Sequence, residues 1–343
     1  MINDEEIINS TKELFYKSFY NYFINKKFDK TKHLILDRLF PEQRKITSIG
    51  SGMQTSLGSF FEKLATIFAG KNDFEIISND QLQRPNLNEE TRFLLDETRQ
   101  NRESGNGEIK LNDFKEKLNK LFPSPLASNQ FNKKISGKGC DLILKKDQDV
   151  FIFDLKTPQI NSGYGNTANG SIIEWTAYWK SKFDIDANNI FAKFIFPYNP
   201  FDENNDESWW DHVGDRAKPL TREDVQVGNE FWSFLTDNDN ALKSIKKAFN
   251  HIAQNRKYIS LYSESFKIDS KDKEKIFKEK VRIFRIRQLK NIEYHPENGE
   301  LNLTKKQKWI HLNCVFEEKF NKLLNEKNYK CPICGEYLKQ SSL

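Results

Sequence analysis

The fold is decided by residues 141–156, which read DLILKKDQDVFIFDLK. Two short apolar runs bracket the polar residues 146–149, a pattern typical of two strands joined by a tight turn. The shortest such turn would use Asp147 and Gln148 as a two-residue loop. The interior of the second run, Val150–Phe153, is apolar throughout, which indicates a strand in the core rather than on a solvated surface.

Three charged side chains flank these apolar runs. With a two-residue loop, the register places Asp141 directly opposite Asp154, and side-chain alternation puts Lys156 on the same face as Asp154. Two carboxylates paired across strands repel each other, and a divalent cation reverses that effect. Mg²⁺ bound there would polarise a phosphate and activate water, so the pattern predicts phosphodiester hydrolysis. The structural alternative is an Asp-x-Lys pair on a solvated strand.

Composition sets only broad limits. The chain has 343 residues, of which 37% are hydrophobic and 30% charged, with a formal net charge of +5. This mild basicity is compatible with a nucleic-acid partner but does not establish one. No apolar run reaches the roughly 18–20 residues that span a bilayer, and residues 1–6 lack a signal-peptide pattern. We therefore expect a cytoplasmic protein with no membrane contact.

The order strand, strand, helix, strand predicts an α/β (α+β) core, a mixed sheet flanked by helices. We expect an N-terminal helical segment (1–50), a core (51–298) and a small C-terminal module (299–343). Helices are predicted at 4–27, 54–69 after a turn at 48–52, 90–100, 110–122, 172–182 after a Gly/Asn-rich loop at 160–170, 229–236 and 240–254. Further strands are predicted at 190–196 and 280–287.

The carboxylate–lysine arrangement resembles the PD-(D/E)xK nucleases, a superfamily that includes most type II restriction endonucleases. Asp141, Asp154 and Lys156 match its two acidic positions and its lysine, and Cys140 stands where the motif name has proline. The family commonly adds a glutamate from a preceding helix, for which Glu62 is the candidate here; the alternative is an exposed helix residue. The resemblance implies a Mg²⁺-dependent DNA endonuclease with a restriction-endonuclease-like fold.

Other segments look like the TdeIII-like group of restriction enzymes. They are residues 156–159 (KTPQ), the Gly/Asn-rich loop, Glu174-Trp175 and residues 227–232 (VGNEFW). This resemblance implies a type II restriction enzyme that cuts double-stranded DNA at a short palindrome of the GGNCC kind. A palindromic target in turn implies a homodimer, because a two-fold symmetric protein matches a two-fold symmetric site.

Two further sets of residues are candidates for DNA contact. Phosphate contacts dominate affinity for DNA, and amide side chains can read bases. The candidates are Lys133, Lys134 and Lys138 for phosphates, and Gln159, Asn161, Asn166 and Asn169 for phosphates or bases. The alternative for both sets is an ordinary solvated loop or turn.

The last 33 residues contain a metal-binding pattern. His311 and Cys314 form one pair, Cys331 and Cys334 form another, and each pair has a two-residue gap. This spacing is typical of structural zinc, with four protein ligands and no open position. The alternative is free cysteines beside a surface histidine. No Walker-type or Gly-x-Ser-x-Gly motif is present, so we expect neither a nucleotide cofactor nor serine chemistry.

Two other functions remain open from sequence alone. One is a nuclease of the same superfamily with a repair or recombination role, which would cut by structure or from DNA ends. The other is a non-enzymatic zinc-finger DNA-binding protein in which the hairpin carboxylates are structural. DNA binding that is unaffected by substitution of Asp154, and that is not accompanied by cleavage, would favour the second function.

Overall fold

The structure is a computed structural model of the chain. It describes residues 1–26, 36–39, 41–105, 111–131, 139–156, 163–202, 204–287, 292–295 and 300–303. The α-helices in these ranges are α1 (Asp4–Asn25), α2 (Leu36–Leu39), α3 (Pro41–Gly58), α4 (Phe60–Lys71), α5 (Glu89–Ser104), α6 (Asn112–Leu121), α7 (Tyr164–Lys182), α8 (Ser208–Val213), α9 (Asn229–Thr236), α10 (Ala241–Ala253), α11 (Arg256–Ser265) and α12 (Lys271–Arg287). The strands are β1 (Glu75–Ile77), β2 (Leu142–Lys146), β3 (Asp149–Leu155), β4 (Ile190–Phe196), β5 (Val225–Val227), β6 (Ile292–His295) and β7 (Glu300–Leu303).

A five-stranded sheet in the order β1-β2-β3-β4-β5 forms the centre of the fold. β1, β2 and β3 pair antiparallel, whereas β3, β4 and β5 pair parallel. The parallel connection from β3 to β4 runs through α7, because parallel neighbours need a long crossover. The mixed sheet with flanking helices that the sequence predicts is therefore confirmed.

The β2–β3 hairpin has the predicted register. Lys146 pairs with Asp149, so that Asp147 and Gln148 are its two-residue loop. Asp147 has a φ of 55°, the positive value that the first central residue of a primed hairpin turn takes. Aspartate tolerates this conformation better than most residues because its short side chain can bond locally.

The two faces of β3 contact different helices, because successive side chains point to opposite sides of the sheet. On one face, Phe153 packs edge-on against Phe231 of α9, with 5.7 Å between ring centroids. On the other face, Ile152 belongs to the hydrophobic core that includes α7. Trp175 of α7 stacks on Phe194 of β4 at 5.4 Å. The sheet thus lies between helices.

The chain divides into two compact units. The first comprises Met1–Ile8 and Phe61–Lys246 and contains the five-stranded sheet. The second comprises Asn9–Phe60 and Lys247–Leu343. Within the second unit, Phe15 packs edge-on against Tyr258, and Tyr16 packs edge-on against Phe284. The predicted boundaries at residues 50 and 298 stay predictions.

The helical part of the sequence prediction is largely confirmed, with three corrections. The turn predicted at 48–52 is wrong, because these residues lie inside α3. The loop predicted at 160–170 is wrong from Tyr164 onward, where α7 begins. The reason lies at Gly165: a Cβ atom there would lie 1.9 Å from the carbonyl oxygen of Lys218. Close packing of a helix, rather than a turn, therefore accounts for this glycine.

The third correction concerns residues 280–287, which the sequence analysis predicts as a strand. They form the last turns of α12. The stretch VRIFRI alternates partly like a strand, but Phe277, Val281 and Phe284 are all buried. Their spacing of four and three residues is that of one helical face. In the described part of the chain, no helix has the length and apolar character to cross a membrane.

Candidate active site

Asp141 lies at the open end of the β2–β3 hairpin. The paired residues end with Leu142 and Phe153, one step before Asp141 would face Asp154. Asp141 leaves the regular ladder: its backbone N–H donates to the carbonyl oxygen of Phe153 at 2.9 Å. Its carboxylate Oδ2 accepts a hydrogen bond from the backbone N–H of Leu155 at 2.7 Å. The neighbouring strand therefore holds this carboxylate by a backbone donor.

Asn79 supports the same end of the hairpin from a distant segment. Its Nδ2 group donates to the carbonyl oxygens of Cys140 and Asp141, at 3.0 Å each. Both carbonyls lie just before β2, where the sheet offers them no partner of their own. The amide therefore fixes the backbone that carries the Asp141 carboxylate. Sequence reasoning missed Asn79, since nothing in its local pattern distinguishes it from a turn residue.

Asp154 is a buried carboxylate on the face of the sheet that α7 covers. It is only 4% exposed, and its register partner on the parallel strand β4 is Phe194. Lys156 pairs with it, since the lysine Nζ donates to Oδ1 at 2.9 Å and lies 2.7 Å from Oδ2. The Lys156 side chain is 42% exposed. One end of this ion pair is therefore buried, and the other faces solvent.

The electrostatics of the site are set by the burial of Asp154 and by the charge of Asp141 beside it. The pKa of Asp154 is raised to about 7: burial is the largest cause and the charge of Asp141 adds to the rise, whereas the hydrogen bond and the charge of Lys156 oppose it. Loss of solvation and a like charge both disfavour an ionised carboxyl group. Lys156 does not fully compensate for these two effects, since the pKa of Asp154 stays raised. A further cation beside the carboxylates would do so.

Glu62 lies in the first turn of α4, and the charges of Asp141 and Lys156 act on its carboxyl group. Burial raises its pKa, the charge of Asp141 adds to the rise, and Lys63 and Lys156 oppose it. Within the described residues, no group of three or more His, Cys, Asp or Glu side chains is arranged to hold a metal ion. The role of Glu62 at the site stays a prediction.

Cys140 occupies the position before the first carboxylate. It is buried, and the loss of solvation raises the pKa of its thiol to about 12, with the charges of Asp141 and Asp154 adding to the rise. The thiol is therefore neutral at ordinary pH. A neutral thiol is a poor metal ligand and a poor nucleophile. Cys140 thus acts as a small apolar residue beneath the site.

Tyr164 is the first residue of α7, and sequence reasoning placed it in a loop. Its ring packs edge-on against Phe194, with 5.6 Å between centroids. Its hydroxyl oxygen is buried and has no hydrogen-bond partner among the residues that the structure describes. Burial raises its pKa, and the charges of Asp154 and Asp141 raise it further. Tyr164 therefore places an unpartnered hydroxyl within the electric field of the two carboxylates.

The remaining predicted site residues divide into three groups. Asn166 is exposed, whereas Asn169 is fully buried and its Nδ2 donates to the carbonyl oxygen of Arg99 at 3.5 Å. The prediction that Asn169 contacts DNA is therefore wrong, because it lies inside the packed part of α7. Outside the described residues lie Lys133, Lys134, Lys138, Gln159, Asn161, His311, Cys314, Cys331 and Cys334.

The chain is similar to a known family of proteins. A family model described as type II restriction endonuclease, HinfI, matches residues 3–253. No curated protein and no solved structure matches the chain. The matched range includes all four candidate residues of the active site, and the five-stranded mixed sheet fits a restriction-endonuclease-like fold. The chain belongs to the HinfI family of type II restriction endonucleases, enzymes that bind and cut double-stranded DNA.

Proposed function

We propose that this restriction endonuclease is a PD-(D/E)xK enzyme that hydrolyses phosphodiester bonds with Mg²⁺ held by Asp141 and Asp154. The observation that carries the proposal is the convergence of two carboxylates and one ammonium at the end of the β2–β3 hairpin. Membership of a restriction endonuclease family favours this reading over a repair nuclease. The same membership also favours a nuclease over a DNA-binding protein that does not cut.

The two carboxylates fit a magnesium ion by their chemistry. Mg²⁺ usually takes one or two protein carboxylates and keeps water and substrate phosphate as its other ligands. A pair of acidic ligands is therefore sufficient, without a third from Glu62. Asp141 is held by the N–H of Leu155 at 2.7 Å, and Asp154 is buried with a raised pKa. When bound, the ion would polarise the scissile phosphate and lower the pKa of a bound water.

Lys156 supplies the cationic side chain. Its Nζ group contacts both oxygens of Asp154. Its exposed side chain can move from Asp154 towards an arriving phosphate, because it is a flexible stem that carries three donors. There it orients the attacking water or stabilises the charge that develops on the phosphate oxygens. Glu62, near Asp141 and Lys156, helps to orient the same water.

Three further properties are part of the proposal. The target is a short palindrome of the GGNCC kind, an expectation that rests on the sequence resemblance to TdeIII-like enzymes. The enzyme acts as a homodimer, because that symmetry matches a palindrome. His311, Cys314, Cys331 and Cys334 hold one structural zinc ion, since two thiolate-rich pairs with two-residue gaps suit tetrahedral Zn²⁺.

The proposed activity is tested by digestion of unmethylated phage DNA with purified protein, in Mg²⁺ or in EDTA. We expect discrete fragments with Mg²⁺ and intact DNA with EDTA, and end sequencing then gives the target and the cut position. The test variant is Asp154→Asn. The matched control is Asp149→Asn, because Asp149 lies on the same strand at the hairpin loop, about 16 Å from Asp154 at the usual rise of a strand.

The comparison of these two variants separates the site from the fold. Loss of cleavage in Asp154→Asn, with wild-type cleavage in Asp149→Asn, supports the carboxylate site. Equal cleavage by both variants would refute it. Binding of DNA without cleavage by the wild-type protein, across several DNAs and metals, would favour a DNA-binding role instead.

A further inference from the structure

The ring of Tyr164 lies at the carboxylate end of the sheet. The tyrosine ring packs edge-on against Phe194 at 5.6 Å and against Phe196 at 6.2 Å. Phe194 is the register partner of Asp154 on the neighbouring parallel strand. Directly paired residues project from the same face of a sheet. The ring of Tyr164 therefore lies on the face from which the Asp154 carboxylate projects. It contacts Phe194, the residue paired with Asp154.

The first turn of α7 cannot easily shift away from this position. At Gly165, a Cβ atom would lie 1.9 Å from the carbonyl oxygen of Lys218 and 2.6 Å from that of Ala217. The helix backbone therefore approaches the 217–218 segment more closely than any other residue would allow. Because Gly165 directly follows Tyr164, the same contact also holds the tyrosine in place.

The second observation concerns the surroundings of the hydroxyl oxygen. That oxygen is buried, and no partner occurs among the described residues. A buried hydroxyl without a partner destabilises a folded protein. Phenylalanine would fill the same space without that cost, so folding does not explain the hydroxyl. An unsatisfied buried polar group in a native protein calls for an explanation, such as a catalytic role or a bound water or ion.

We propose that the Tyr164 hydroxyl donates a hydrogen bond to a non-bridging oxygen of the scissile phosphate when DNA is bound. This inference rests on the proposed function, because it uses the same carboxylate site. The phenol is a donor that stays protonated at neutral pH, and a phosphate oxygen is an acceptor that arrives only with the substrate. A donor aimed at an oxygen whose charge increases during the reaction lowers the barrier to cleavage. Tyr164 is thus a further group at the active site, beside Asp141, Asp154, Lys156 and Glu62.

The test removes only the hydroxyl, with Tyr164→Phe. The matched control is Tyr178→Phe, which makes the same change on the same helix about 21 Å along its axis. Tyr178 is also buried, and its hydroxyl interacts with Glu174. Three quantities are measured for each protein: the single-turnover cleavage constant at saturating Mg²⁺, the Kd for the same DNA in EDTA, and the thermal unfolding midpoint. The probe is a labelled fragment of unmethylated phage DNA that the wild-type protein cuts once.

For Tyr164→Phe we expect cleavage to slow by roughly 10- to 100-fold, at or below the loss caused by removing one oxyanion-hole donor. The Kd for DNA stays within about twofold, because one neutral contact adds little beside the many phosphate contacts. The unfolding midpoint stays unchanged or rises, because an unsatisfied buried group is removed. Tyr178→Phe cleaves at the wild-type rate. If the tyrosine hydroxyl were only structural, its loss would lower the unfolding midpoint together with the cleavage rate.

Each other outcome overturns the inference. Cleavage by Tyr164→Phe within about twofold of wild type shows that the hydroxyl does not assist the reaction. A lower unfolding midpoint, with slower cleavage and weaker binding in parallel, shows that the hydroxyl is bonded within the folded protein. Both results leave the proposed function intact, since the wild-type protein still cuts. If the wild-type protein cuts no DNA with any divalent metal, the proposed function fails and the inference fails with it.

Discussion

Replacement of Arg102 by methionine tests the structural support of the sheet that carries the site. The Arg102 guanidinium in α5 forms an ion pair with Asp224, and their side chains are only 1% and 5% exposed. The same oxygen of Asp224 also accepts from the backbone N–H and the hydroxyl of Thr221, at 2.7 Å and 2.8 Å. Asp224 directly precedes β5, and its carbonyl oxygen accepts from Phe194 of β4 at 2.9 Å. The ion pair therefore anchors the edge strand next to β4.

The magnitude follows from leaving one buried charge without its partner. Breaking a buried ion pair from one side costs about 3–5 kcal/mol. Since the two bonds from Thr221 remain, we expect Arg102→Met to lower the free energy of unfolding by about 3 kcal/mol. Methionine keeps most of the apolar stem, so little of this loss is a cavity. The double variant Arg102→Met with Asp224→Asn recovers part of it, leaving a loss of about 1–2 kcal/mol, because no buried charge remains.

The assay is urea unfolding followed by tryptophan fluorescence. Five of the six tryptophans, at positions 175, 179, 209, 210 and 232, lie in the unit that contains the sheet. Their signal therefore reports mainly on that unit. A loss below about 1 kcal/mol in Arg102→Met, or a double variant no more stable than the single one, would refute the reasoning about an unpaired buried charge.

Three further predictions concern the site and the C-terminal module. Asp154→Asn abolishes cleavage yet raises the thermal unfolding midpoint of the metal-free protein, because a neutral amide replaces a buried carboxylate beside Asp141; a midpoint several degrees below wild type in EDTA would contradict this. Gly165→Ala lowers both the midpoint and the cleavage rate, because its Cβ would lie 1.9 Å from a backbone oxygen; circular dichroism melts and digestion measure the two effects, and a wild-type melt would disprove the close contact. Purified protein contains one zinc ion per chain by elemental analysis, and Cys331→Ser lowers that content; wild-type protein free of zinc, purified without chelators, would rule the zinc module out.

The part of the fold that could be predicted from sequence is the part encoded locally. The β2–β3 hairpin shows two apolar runs and a two-residue loop, so the register follows from the sequence alone. By contrast, β1 and β5 are three residues each. Such short strands carry no pattern of their own. They form because β2 and β4 offer unpaired backbone groups at their edges.

The start of α7 shows a different reason for failure. Its first half is rich in glycine and asparagine, which favour turns in isolation. Burial against the sheet and against the 217–218 segment stabilises a helix there instead, and small residues permit the close approach. Tertiary packing thus outweighs the local preference. Neither effect can be read from the sequence of 164–170 by itself.

The candidate site could be predicted only where its residues are related by a local sequence pattern. Asp141, Asp154 and Lys156 lie within one hairpin, and strand alternation relates them directly. Asn79 reaches the site from 62 residues away, and Tyr164 reaches it through the packing of α7 on β4. Contacts between distant segments depend on the whole fold, so single-sequence reasoning had no signal for either residue.

The central claim is that Asp141 and Asp154 together hold the catalytic metal ion. The most direct measurement is a crystal structure of the protein with bound DNA and Mn²⁺ in place of Mg²⁺, with anomalous difference density collected for manganese. We expect a manganese peak that contacts one carboxylate oxygen of each aspartate and an oxygen of the scissile phosphate. A manganese site elsewhere on the bound DNA, with no peak between these two carboxylates, would contradict it.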